Sequence, residues 1–201
     1  MMPFKKLSVL SGAILTVFFS VVAVPAMAHG GGGVSGGFLS GFTHPILGWD
    51  HVVAMVAVGL WGAFLGSPAI WILPVAFPLV MAFGGALGVL GIPVPAVEAG
   101  IAASSVVLGI LIAGAARAPL WLATLIVAVF AVFHGHAHGT ELPEAVHPLT
   151  YAVGFVCGTG LLHLLGIGLG FLTRLPSGVI AVRVCGAAIA VIGASFLFGV
   201  I

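Results

Sequence analysis

The stretch His44-Pro45-Ile46-Leu47-Gly48-Trp49-Asp50-His51 runs directly into Val52-Val53-Ala54-Met55-Val56-Ala57-Val58-Gly59-Leu60, an unbroken apolar segment. Two imidazoles and a carboxylate therefore stand at the mouth of a hydrophobic helix. Only 4% of the 201 residues are charged and 62% are hydrophobic. A soluble domain carries about 25% charged residues. A chain this apolar cannot cover a water-facing surface, so the lipid bilayer must be its solvent. There is no basic patch to hold phosphates, which argues against nucleic acid as a partner. There is no long polar tract either, so one integral membrane domain accounts for the mature chain.

The first residues read as an export signal. Lys5 and Lys6 form a positive n-region, Leu7 to Val24 an apolar h-region, and Pro25-Ala26-Met27-Ala28 a small-residue cleavage site. Residues 1–28 are thus expected to be a cleavable signal peptide, with an uncleaved signal anchor as the alternative. Cleavage leaves 29–201 as the working domain, with His29 at its N-terminus on the periplasmic side of a bacterial inner membrane. Freed in this way, the amine and imidazole of His29 can chelate a metal together. Cys157 and Cys185 lie inside apolar segments and read as small core residues with no disulfide framework.

About 20 apolar residues cross a bilayer as a helix. Beyond the signal, six stretches qualify, roughly 45–66, 69–91, 96–115, 119–138, 148–172 and 178–200. Unpaired backbone is costly in hydrocarbon, so these must be helices. The expected fold is all-α, a polytopic membrane bundle of six transmembrane helices. Pro74 and Pro78 are expected to kink the second. With the N-terminus outside, Arg117, Arg174 and Arg183 all fall on the cytoplasmic side, as positive residues prefer. Asp50, Glu98, Glu141 and Glu144 fall near the outer ends. The small-residue steps Gly84–Gly88, Gly154–Gly158 and Gly166–Gly170 suit close helix approach. Packing within the chain is the favoured reading, and a dimer face is the other.

On one continuous helix, His44 and His51 lie two turns apart and share a face, with Met55 a turn below and Asp50 rotated about 100° away. Pro45 then sits in the first turn, where its missing N–H costs nothing. A second cluster, Phe133-His134-Gly135-His136-Ala137-His138-Gly139-Thr140-Glu141, follows about ninety residues later. There His134 and His138 share a face. Glu141 extends it if the helix continues past Gly139, and His136 points the other way as a spectator. Glu98 opens the third span at the depth of Asp50. Ionisable groups in a membrane mark ion or substrate pathways. Imidazole and carboxylate donors suit divalent nickel, cobalt and zinc.

His44-Pro-x-x-Gly48-x-Asp50-His51, followed by Met55 and Gly59, resembles the first signature of the HupE/UreJ family. Phe133-His134-Gly135-x-Ala137-His138-Gly139-x-Glu141 resembles its second. The signal peptide, the histidine after it and the six spans match as well. The resemblance covers nearly the whole chain, with no departure in either signature. It implies a secondary permease for nickel, with cobalt as the alternative cargo, that serves hydrogenase and urease maturation. It also implies that His44, Asp50, His51, His134, His138 and Glu141 form the nickel intake site. Glu98 resembles a further family position.

The expectation is a non-enzymatic permease without a prosthetic group, whose metal is its cargo. His44, His51, His134 and His138 replace the waters of the ion, and Asp50, Glu98 and Glu141 neutralise its charge. No Gly-x-x-x-x-Gly-Lys-[Ser/Thr] motif is present, so transport is downhill or coupled to potential or protons. His163, Ser104 and Ser105 are the polar candidates for the inner route. One rival is a membrane-embedded zinc hydrolase using three histidines and Ser104 or Ser105. Another is an accessory protein that binds metal without conducting it.

Overall fold

Seven α-helices carry the chain through residues 37–141 and 148–200, the portions that the computed structural model describes. They are α1 (Gly37–Leu47), α2 (Trp49–Leu65), α3 (Ala69–Val89), α4 (Val97–Ala113), α5 (Leu120–Thr140), α6 (Pro148–Gly170) and α7 (Gly178–Leu197). A 3-10 turn, Phe171–Arg174, joins α6 to α7. No strand occurs among the described residues. The segment read as a signal peptide, His29, and the residues Glu144 and His147 of the loop before α6 lie outside them.

α3, α5, α6 with its 3-10 extension, and α7 are each long and apolar enough to cross a bilayer. α1 and α2 pass together as a broken fifth span, bent by 80°. α4, with 17 residues, is a shorter apolar helix. By length and composition four or five crossings stand, and α4 is the helix on which a sixth depends.

The first span departs from its expected form. It is not one helix from residue 45; a helix begins at Gly37 and stops at Leu47, and Gly48 takes an extended conformation before α2 starts. Pro45 therefore lies near the end of α1 rather than in the first turn of a long helix. A Cβ on Gly48 would stand 3.0 Å from both Asp50 Oδ1 and His51 Nδ1, so the absent side chain leaves room for that pair to fold back over the bend. Pro74 and Pro78 both lie within the single unbroken assignment of α3. α2 ends at Gly66, whose φ of 86° is open to glycine and whose N–H reaches the Gly62 carbonyl.

Each small-residue step seats its helix on another helix of the same chain. Gly84 and Gly88 lie against the Val132 and His136 carbonyls of α5. Gly154 and Gly158 lie against Phe38 and Phe42 of α1, and Gly166 against Val56 of α2. Packing within the chain is thus their use. A Cβ at any of these positions would collide with backbone. α4 and α7 meet in the same manner through Gly109, Gly186 and Gly193.

An apolar core is surrounded by an apolar outer face. Trp71, Val75, Leu79 and Phe83 form an exposed apolar ridge along α3, and Trp121, Leu125 and Val129 form one along α5. Cys185 is buried as expected, but Cys157 is exposed on the outer face of α6, so it is not a core residue. Among the described residues the buried polar side chains are histidine, serine and threonine. The three arginines gather at one end of the bundle. Arg117 lies over the Phe64 ring near the end of α2, Arg174 follows α6, and Arg183 Nε–H donates to the Ala113 carbonyl at the end of α4 (2.7 Å). The histidine-rich ends of α1, α2 and α5 lie at the opposite end.

Candidate metal centre

The bend at Gly48 brings four imidazoles from three helices together. His44 closes α1, His51 opens α2, and His134 and His138 lie one turn apart near the end of α5. Ring centroids are 4.5 Å apart for His51 and His138, 4.9 Å for His44 and His138, and 5.1 Å for His51 and His134. His44 and His51 stand 6.1 Å apart, across the bend rather than along one helix face. Phe155 packs on His138 (4.3 Å) and Tyr151 on His44 (6.1 Å), so α6 closes one wall. Phe77 of α3 lies beneath His134 at 5.6 Å.

Hydrogen bonds assign which nitrogens are free. His51 Nδ1–H donates to Asp50 Oδ1 at 2.8 Å, which leaves Nε2 with its lone pair. That Nε2 is buried and has no partner. Asp50 thus turns toward His51 instead of away from it, as a continuous helix had suggested. Ser104 Oγ–H donates to the Ile101 carbonyl at 2.6 Å, and its one proton is then spent. The 3.1 Å contact between Ser104 Oγ and His134 Nε2 therefore requires the imidazole N–H to donate. His134 Nδ1 keeps its lone pair and is also buried without a partner. Both ring nitrogens of His138 are unpartnered. A buried polar atom without a partner costs about 1–3 kcal/mol, so three such imidazoles in one pocket require a reason.

The remaining sequence candidates lie apart. Glu98 is exposed in the first turn of α4, and Glu141 is exposed as the residue that caps α5. Gly139 does not end α5, which continues through Thr140. His136 Nε2–H donates to the Ile92 carbonyl (2.9 Å), a structural bond between α5 and the loop after α3. Met55 is fully buried below His51. Among the described residues no three His, Cys, Asp or Glu side chains stand at the distances of a finished metal-holding group. The cluster is a set of buried imidazole nitrogens without partners. Sequence reasoning assigned Ser104 to the inner route and missed its bond to His134. It also missed Tyr151 and Phe155, whose spacing of four on α6 was the available sign.

A profile described as HupE / UreJ protein matches residues 17–196. The chain belongs to the HupE/UreJ family. It is 44% identical over 186 residues to Protein HupE of Rhizobium leguminosarum bv. viciae, a match covering 92% of this chain and 97% of that one. No solved structure matches it. The match spans every helix that contributes to the cluster, and residues 44–51 and 133–141, the segments that resemble the family's two signatures, meet across the bend.

Proposed function

We propose that this protein is a secondary permease that carries divalent nickel, with cobalt as the alternative cargo, from periplasm to cytoplasm. The observation that carries the reading is the group of unpartnered imidazole nitrogens of His51, His134 and His138 beside His44. Two imidazoles on one first-row ion have ring centres about 5 Å apart, given metal–nitrogen bonds near 2.0–2.1 Å. Three of the observed separations, 4.5, 4.9 and 5.1 Å, match that spacing, while His44 and His51 stand farther apart at 6.1 Å. Asp50 supplies negative charge and orients His51, in the manner of a carboxylate behind a metal-bound histidine. Glu98 and Glu141, being exposed, attract the hydrated ion to the mouth, and His29 is assigned to the same outer approach.

A six-crossing arrangement is part of the proposal. Gly84 and Gly88 contact α5 in step with Gly135 and Gly139, so α3 and α5 run the same way. α4 and α7 meet in opposite order, through Gly109 against Gly186 and Ser105 against Gly193. Both directions follow if every helix, including α4, crosses. The arginine-rich end then faces the cytoplasm, and the histidine pocket opens to the periplasm. A potential negative inside drives the ion inward by about 2.3 kcal/mol per charge per 100 mV. Nickel imported this way supplies metalloenzyme maturation.

The hydrolase reading gains nothing from Ser104. That hydroxyl is fully buried, gives its proton to the Ile101 carbonyl and accepts from His134, so no base is left to activate it. Purified protein in liposomes with an internal nickel reporter tests the proposal. Influx that is abolished in His44→Ala and His134→Ala supports the permease. Metal binding without influx would favour an accessory role, and hydrolysis without influx an enzyme.

A further inference from the structure

Below the outer cluster the bundle holds a second imidazole that the outer site does not use. His163 of α6 is 2% exposed, and its Nε2 is buried with no partner. It lies on the i, i+4 ridge that descends from Tyr151 through Phe155 and Thr159. All four side chains of that ridge are buried. The first two wall the outer cluster, and His163 follows Phe155 by roughly 12 Å of helix rise. Thr159 Oγ1 is also buried without a partner, whereas Thr43, Thr140 and Thr173 each bond a backbone carbonyl three or four residues back. Thr159 and His163, one turn apart, thus present two unused donor atoms in the apolar interior.

Phe77 connects the two levels. Its fully buried ring lies 5.6 Å from His134 and 5.7 Å from His163, edge-to-face in both cases. Backbone chemistry shapes the surroundings of the lower imidazole. Pro78 has no N–H, so the Pro74 carbonyl lacks its helical partner. That carbonyl lies near the His163 ring, whose Nε2 has no partner.

We propose that His163, with Thr159, is a second station for the transported cation, divided from the outer histidine cluster by the Phe77 ring. The ion leaves His134, passes Phe77 as that ring turns, and is received by His163 Nε2. The inference rests on the permease reading and gives it an inner step.

Nickel influx into liposomes and equilibrium nickel binding to the purified protein, measured on the same preparations, test it. His163→Gln keeps a polar side chain at this position and removes the imidazole. It is expected to bind nickel at the outer cluster within about twofold of wild type, while influx falls at least tenfold. Thr159→Val leaves the imidazole alone, and its influx is expected to fall at least threefold. Phe77→Leu is expected to raise influx, and unaltered influx there overturns the gate. Wild-type influx in both His163→Gln and Thr159→Val overturns the inner station while the permease stands. Wild-type liposomes that admit no nickel overturn the permease reading and this inference with it.

Discussion

Asp50 and His51 are sequence neighbours whose side chains bond each other at 2.8 Å, folded back over Gly48 at the bend between two helices. The pair fixes one imidazole tautomer and leaves the other nitrogen free inside the pocket. Removing the carboxylate should therefore act through the histidine. Asp50→Ala is expected to lower nickel affinity about tenfold to a hundredfold, and Asp50→Asn, which keeps an oxygen acceptor, by less. Equilibrium dialysis of the purified variants decides this, and equal losses in both would mean that charge alone matters.

Ser104 does for His134 what Asp50 does for His51. Ser104→Ala leaves Nε2–H without its acceptor and frees the ring to adopt the other tautomer. Nickel affinity is expected to fall about tenfold. Ser105, whose hydroxyl is buried and unpartnered, is the control. Ser105→Ala is expected to be neutral or slightly stabilising. Comparable nickel binding in wild type and Ser104→Ala would remove the hydroxyl from the account.

The glycine contacts predict stability effects that also reach the site. A Cβ on Gly154 collides with the Phe38 carbonyl of α1, the helix that carries His44, whereas Gly160 faces open space. Gly154→Ala is expected to cost about 1–3 kcal/mol and to weaken nickel binding by displacing His44. Gly160→Ala should do neither. Thermal unfolding in detergent, followed with and without nickel, reads both effects.

Glu98 and Glu141 are exposed and stand outside the imidazole cluster. Glu98→Gln and Glu141→Gln are expected to leave equilibrium affinity within about threefold of wild type, as exposed charges contribute little. Influx at low ionic strength should fall, and the difference should shrink as salt screens attraction over about 10 Å at 0.1 M. Influx measured across a salt series tests this. A loss of affinity at every salt concentration would make these carboxylates ligands.

Much of this was legible in the sequence, and the failures have physical causes. Apolar run lengths located α3, α5, α6 and α7, because lipid demands long unbroken helices. The spacing of His134 and His138 gave their shared face, since α5 is continuous there. The same logic misread His44 and His51. It assumed one helix through Gly48, where the backbone is extended and the axis turns by 80°. The two imidazoles meet nonetheless, by tertiary folding and not by helical period. The bond between Ser104 and His134 was out of reach, because it joins residues 30 apart on different helices. That the Pro74 carbonyl, left unpaired by Pro78, lies near His163 was likewise hidden, since sequence alone does not say what faces a proline.

The nickel K-edge X-ray absorption spectrum of the metal-loaded protein bears most directly on the claim that imidazoles from α1, α2 and α5 together hold the ion. The account predicts at least three nitrogen neighbours at about 2.0–2.1 Å with the multiple scattering of imidazole rings, reduced by one in each of His44→Ala, His51→Ala and His138→Ala. A shell made only of oxygen atoms, unchanged by those substitutions, would contradict it.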